Sequence, residues 1–253
     1  MGFDVAAERY DRFMGRYSAL LSPQMADLAG VTAGQRALDV GCGPGALTRE
    51  LVSRLGPEAV AAVDPSEPFV AAARTRHPDV DVRLASAEAL PFDADSFHAA
   101  LAQLVVHFMT DPVAGLREMA RVTRRGGSVT ACVWDFAGGN GPISALWEAA
   151  HELDAAVVDE SGMAGARQGH LVELFRVAGL TDVDEHVLPL SVTHPTFDDW
   201  WQPFTLGVGP AGQYVAALDA ERRDALRNRC RAHLGPGPFV VAARAWAAVG
   251  TAA

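Results

Sequence analysis

The sequence predicts an α/β fold: a mostly parallel sheet with helices on both faces. Three observations carry this. The apolar run Ala37, Leu38, Val40 stops at Gly41-Cys42-Gly43-Pro44-Gly45, and a helical pattern follows with Leu47, Leu51, Val52 and Leu55. A second apolar strand, Ala59-Val-Ala-Ala-Val63, ends in Asp64. From there strands and helices alternate in the doubly wound manner as far as Trp134.

The elements follow in order. Residues 1–30 read as helical, with Tyr10, Phe13, Met14, Tyr17, Leu20 and Leu21 recurring at helical spacing. Strands are expected near 36–41, 59–64, 80–85, 97–103 and 127–134, and helices near 45–55, 66–76 and 112–124. Arg125-Gly126-Gly127 is expected to close the last of these helices. Beyond Trp134, residues 143–158 and 168–179 read as helices and 183–192 as a strand. Residues 195–235 read as largely helical with Pro and Gly breaks, and 239–249 as a strand.

Glycines at a strand-to-helix corner permit a sharp turn and close approach of a ligand to the main chain. The helix beyond directs its free N–H groups and positive dipole end at whatever sits above the corner. Gly41, Gly43 and Ala46 also satisfy the dinucleotide fingerprint, with Asp64 about 20 residues on, so a nicotinamide dehydrogenase is a rival reading. In either reading Asp64 can accept hydrogen bonds from both ribose hydroxyls. The plainer alternative is a strand-end aspartate that caps the helix starting near Ser66.

Composition narrows the classes. At 253 residues the chain accommodates one α/β domain with an elaboration, read here as a single domain over 1–253. No apolar run approaches the roughly 18 residues needed to span a bilayer. The N-terminus carries Asp4, Glu8, Arg9 and Asp11, unlike a secretory signal, so a cytoplasmic location is expected. A net charge of −10 disfavours a phosphate backbone as partner. Arg222, Arg223, Arg227, Arg229 and Arg231 read as a solvated helix face. All 21 basic residues are arginine, which excludes Schiff-base lysines and the Tyr-x-x-x-Lys pair of short-chain dehydrogenases. Cys42, Cys132 and Cys230 lie far apart, and no histidines pair at ligand spacing, so neither disulfide nor metal is expected.

Leu38-Asp-Val-Gly-Cys-Gly-Pro-Gly45, Val63-Asp-Pro-Ser66, Ala85-Ser-Ala-Glu-Ala-Leu-Pro-Phe92 and Phe97 through Asp111 are ordered and spaced as in one family. Together they closely resemble the class I S-adenosylmethionine-dependent methyltransferases, nearest the small-molecule subgroup that includes ubiquinone/menaquinone biosynthesis enzymes. The match covers roughly residues 30–135. The resemblance implies a Rossmann-like seven-stranded sheet whose last strand is antiparallel, inserted between strands five and six. On that template 183–192 and 239–249 are strands six and seven, and 195–235 is a helical insertion between them.

The resemblance also implies S-adenosyl-L-methionine as cofactor and a small molecule as methyl acceptor, with the chain a monomer or homodimer. Asp39, Gly41, Gly43 and Gly45 would hold the methionine portion, and Asp64 the ribose, with Pro65 and Ser66 flanking the adenosine. Ala87 and Glu88 would line the adenine pocket. Ser86 stands where the family often has Asp, and its hydroxyl accepts less strongly than a charged group. Gln103 would face the sugar and methionine. The N-terminal helix, residues 1–30, would act as a lid, bringing Tyr10, Arg16 and Tyr17 near the methionine carboxylate or the substrate mouth. Arg16 suits a carboxylate through its bidentate fork, or lies in solvent.

Residues 195–235 form the candidate substrate cap, rich in aromatics, with Trp200 and Trp201 facing substrate or pinning the cap. In-line displacement needs a proton acceptor only for certain acceptors. His107 is the first candidate, then His194, then Asp135. The reading as a structural side chain weighs evenly for His107 and more heavily for His194 and Asp135. A protein of this fold that uses the cofactor without methyl transfer, as a pericyclase does, has the same motifs.

Overall fold

The computed structural model describes residues 7–253. It begins with α1 (Ala7–Tyr10), a π-helical turn (Asp11–Gly15) and α2 (Arg16–Leu28), running as one helical stretch. Residues 1–6 of the expected helix lie outside the described residues. Met14, Tyr17, Ser18, Leu21, Ser22 and Met25 form the buried stripe. Leu20, expected on that face, is 46% exposed, because its position falls off the i, i+3, i+4 row the others occupy.

Seven strands follow: β1 (Ala37–Val40), β2 (Val60–Asp64), β3 (Asp81–Leu84), β4 (Phe97–Gln103), β5 (Thr123–Trp134), β6 (Thr181–His194) and β7 (Phe239–Thr251). They form one sheet in the order β3-β2-β1-β4-β5-β7-β6. β1 to β5 pair in parallel, whereas β7 runs antiparallel to both neighbours. Every residue of β1 and β2 is buried, as parallel strands covered on both faces require. This is the seven-stranded methyltransferase arrangement expected above, with its helical insertion. It differs from the nicotinamide-dehydrogenase order, in which no antiparallel strand separates the fifth from the sixth.

The helices between the parallel strands are α3 (Ala46–Leu55), α4 (Glu67–Arg76) and α5 (Pro112–Val122). α5 stops earlier than expected, and Arg125-Gly126-Gly127 lies within β5 instead of capping the helix. The Gly126 N–H donates to the Ala252 carbonyl, and the Ala252 N–H to Gly127, each at 2.9 Å. Strand pairing with the chain's end thus claims the groups a helix terminus would have used. α6 (Ser144–Leu153) and α7 (His170–Ala178) precede β6. Between β6 and β7 stand α8 (Phe197–Trp201), a 3-10 turn (Gln202–Leu206), α9 (Gly209–Ala217) and α10 (Ala220–Leu234).

Strand order reverses between β1 and β4, which opens a crevice at the carboxyl ends of these strands.

Candidate active site

In that crevice lies a cavity of about 550 Å³, within the range of small-molecule sites. Tyr10, Gly41, Gly43, Asp64, Pro65, Ser66 and Gln103 of the expected cofactor set line it. Glu67, Phe69, Leu104, Val105, Phe108 and Thr110 line it as well and were not singled out from sequence. Phe69 was readable as an apolar position of the second helix. Glu67 is the first residue of α4, and the others follow the end of β4, where no periodicity marks them.

The glycine turn forms the floor. Gly41 has φ +70°, and a Cβ there would lie 2.5 Å from the Val105 side chain, so both conformation and space demand glycine. Asp64 is buried at the end of β2. Its Oδ2 accepts the Gly43 N–H and its Oδ1 the Ser66 N–H, each at 2.8 Å. The carboxylate therefore braces the turn and the start of α4. Burial raises its pKa, against the pull of those two bonds.

Asp39 sits behind the turn, 1% exposed, where the Thr48 hydroxyl donates to its Oδ2 at 2.6 Å. Burial pushes this carboxyl up to about 7. Gln103 donates to the Ser18 carbonyl at 3.1 Å, while its Oε1 is buried without a partner among the described residues. Gly45 (φ +99°) opens α3 and is covered by His77, whose Nε2 lies 3.2 Å from its carbonyl oxygen. Arg76 donates to Asp11 and to the Pro44 carbonyl, tying the N-terminal helical stretch to the turn.

Asp39, Gly45, Ser86, Ala87, Glu88 and Arg16 are not among the cavity's lining residues. Glu88 accepts from the Thr110 and Asp111 N–H groups, bracing the loop that carries Thr110 into the cavity. Ala87 is buried, and a Cβ added at Gly115 of α5 would lie 3.4 Å from its own. The Ser86 carbonyl accepts the Ala89 N–H.

Arg16 instead pairs with Asp199 of α8, Nη1 to Oδ2 at 2.6 Å and Nη2 to Oδ1 at 3.2 Å. His194 Nδ1 shares that Oδ2 at 2.8 Å, and Tyr17 Oη lies 2.9 Å from His194 Nε2. Burial lowers the His194 pKa, with Asp199 opposing it. This cluster joins the N-terminal helical stretch to the insertion. Trp200 and Trp201 are each 3% exposed and pack on Phe197 and Phe204, and Phe13 meets Phe204 edge to face.

The three candidate proton acceptors occupy three different places. Asp135 is buried, which alone would raise its pKa, but Arg244, Asn140 and the Gly138 N–H hold it below the ordinary carboxylate range. His194 belongs to the cluster with Arg16. His107 lies in a smaller chamber of about 30 Å³ that shares Tyr10, Leu104 and Phe108 with the large cavity. Its ring packs on Phe108, its Nδ1 is buried without a partner among the described residues, and burial lowers its pKa to about 3. Glu160, which no sequence pattern marked, lines the same chamber.

Among the described residues, Glu148, Glu152 and His233 could together hold a metal ion, but they are exposed and line neither the cavity nor the chamber. No described helix is long and apolar enough to cross a membrane.

A family model described as a methyltransferase domain matches residues 38–131. A malonyl-[acyl-carrier protein] O-methyltransferase of Halorhodospira halophila is 31% identical over 227 residues, spanning 86% of this chain and 68% of that protein. The chain belongs to the class I S-adenosylmethionine-dependent methyltransferases. A demethylmenaquinone methyltransferase of a Mycobacterium species (strain KMS) is 36% identical to this methyltransferase over 141 residues. That match spans 51% of this chain and about half, 56%, of the relative. The [4+2]-cyclase SpnF shares the fold, with TM-score 0.56 and 20% identity over 92% of this chain and 81% of that one. Membership of the family excludes the dehydrogenase reading, in agreement with the strand order.

Proposed function

We propose that this methyltransferase holds S-adenosyl-L-methionine in the 550 Å³ cavity and directs its methyl group to a small-molecule acceptor by in-line displacement. The observation that carries this reading is the convergence of the glycine turn, Asp64 and Gln103 on one cavity. The residues present suit the cofactor. Gly41 and Gly43 leave main chain bare for close approach, and Asp64 keeps acceptor capacity for hydroxyls beside its two N–H bonds. The unpartnered Gln103 Oε1 is a buried acceptor awaiting a donor.

When bound, the cofactor supplies a sulfonium-activated methyl group. The chain's own part is to orient the reactants and exclude water. Asp64 anchors the ribose hydroxyls, the turn seats the methionine portion, and Tyr10, Phe69 and Phe108 give the cavity apolar walls. Residues 1–30 serve as lid and 195–235 as substrate cap, joined through Arg16 and Asp199.

The acceptor class is read from the site, not from the relatives. The match to the menaquinone-pathway relative supports likeness in the cofactor-binding half, whereas the carrier-protein relative spans more of the chain. Calorimetry with S-adenosylmethionine, S-adenosylhomocysteine and NAD tests the cofactor assignment. Heat with the first two and none with NAD is expected, and the reverse sinks the proposal. Formation of S-adenosylhomocysteine on turnover separates methyl transfer from use of the intact cofactor without transfer.

A further inference from the structure

Glu160 sits in the loop between α6 and α7 and is 4% exposed, a rare position for a carboxylate without a cationic partner. Among the described residues its side chain accepts one hydrogen bond, from the Trp147 indole N–H at 2.9 Å. The chamber it lines is otherwise apolar, walled by Phe13, Met14, Trp134, Phe136 and Ile143 and closed by Gly209-Pro210-Ala211 of the insertion. Its other polar side chain besides Tyr10 is His107, with Nδ1 unpartnered. Two buried polar groups, each with spare hydrogen-bonding capacity, thus face one aromatic chamber that adjoins the cofactor cavity. Buried polar groups are ordinarily satisfied, so such a pair points to a ligand group that completes them.

We propose that this chamber receives a methyl acceptor made of an apolar ring bearing a weakly acidic hydroxyl, and that Glu160 takes the hydroxyl proton. The inference rests on the cofactor reading above. A carboxylate can only accept, so its ligand must bring an O–H or N–H, and the aromatic walls select a flat apolar body. In the step, the hydroxyl oxygen bonds to the methyl carbon and the carbon–sulfur electron pair leaves with sulfur. The proton passes from the oxygen to the Glu160 carboxylate. Charge is conserved: the sulfonium becomes a neutral thioether and the carboxylate a neutral acid.

Burial raises the Glu160 carboxyl to about 7, with Trp147 opposing and the Asp159 charge adding to the rise. A group titrating there exchanges protons effectively at neutral pH, whereas His107, lowered to about 3, is a neutral hydrogen-bonding partner and a weak base. The titratable neighbours are Asp159, bonded to His151, and Tyr10 and His107 across the chamber. At about 30 Å³ the chamber has room for ordered water, so the Gly209-Pro210-Ala211 wall must give way for a ring to enter.

The test uses 4-nitrophenol, whose absorption distinguishes phenol from phenolate, added to the protein with S-adenosylhomocysteine. Beside Glu160 the pair should keep its last proton to higher pH than free dye, by about one unit or more, because two negative charges repel in an apolar site. In Glu160→Gln, which still accepts from Trp147, that displacement should vanish while calorimetric binding of S-adenosylhomocysteine is retained. Dye that binds with unshifted titration in the wild type, or with the same shift in both proteins, overturns the proposal. So does failure of the dye to bind a protein that takes up S-adenosylhomocysteine. If S-adenosylhomocysteine itself does not bind, the cofactor reading is what fails. Should Glu160→Gln not fold, the wild-type displacement decides: its presence supports the proposal and its absence overturns it.

Discussion

On the β1–β2 side of the crevice the groups are main-chain N–H groups and side chains at two consecutive strand ends, the longest link spanning 21 positions. Asp64, Gly43 and Ser66 are joined by 2.8 Å bonds, and Asp39 and Thr48 lie directly behind them. On the insertion side the groups come from distant segments: Arg16 and Tyr17 meet His194 and Asp199 across more than 170 positions. His107 and Glu160 reach the same chamber from two separate loops. The first side is a backbone device that any sequence with the right turn reproduces. The second is a packing device, and its chemistry depends on which side chains the packing brings together.

The largest expected effect tests the insertion as a packed body. Trp200→Ala and Trp201→Ala, made separately, should each cost about 3–5 kcal/mol of stability, seen as a lower Tm, with cofactor affinity nearly constant. One of them should also raise the acceptor KM. Loss of stability and cofactor affinity together, with no separate effect on acceptor, would dissolve the division between the two sides.

Next comes the cofactor side. Asp64→Ala removes a charged acceptor, and each such bond contributes about 1.5–3 kcal/mol, so calorimetry should show S-adenosylmethionine Kd rising at least tenfold. A folded variant with unchanged Kd would make Asp64 purely a brace for Gly43 and Ser66.

Asp39 gives a pH-dependent contrast within the same side. Its folded pKa, about 7, lies above the ordinary aspartate value, so protons bind more tightly to the folded chain. Its stability contribution is present below the ordinary value and is lost as pH rises through about 7. Asp39→Asn, which still accepts from Thr48, should therefore gain Tm relative to the wild type between about pH 4 and 7. A Tm difference that stays flat over that range would mean the folded Asp39 titrates normally.

The smallest effect separates two uses of Arg16. Its pair with Asp199 is about one-third exposed, so Arg16→Met should cost within about 1 kcal/mol and leave cofactor Kd unchanged. A tenfold weaker Kd would instead assign Arg16 to the cofactor's carboxylate.

Much of the β1–β2 side was legible in the sequence because its signals are local. A buried parallel strand reads as an unbroken apolar run, a left-handed turn demands glycine, and Asp64 falls where the second run ends. The boundaries of α3, β2 and β4 follow those signals to within a residue. Where two local signals competed the reading missed: Arg125-Gly126-Gly127 looks like a helix stop, yet its N–H and C=O groups pair with Ala252 at the chain's far end.

The chain alone determined the alternation of strands and helices, the glycine corner and the acidic strand end, since each depends on residues within one or two turns of each other. Tertiary structure alone decided where Arg16 points, that Asp135 is consumed by Arg244, and that Glu160 shares a chamber with His107. Desolvation and partner choice depend on what is packed around a group, and neighbours far apart in sequence leave no periodicity to read. Glu160 shows this most directly: among 31 acidic residues nothing local distinguishes it, and it is burial in the folded chain that raises its pKa, against the bond from Trp147.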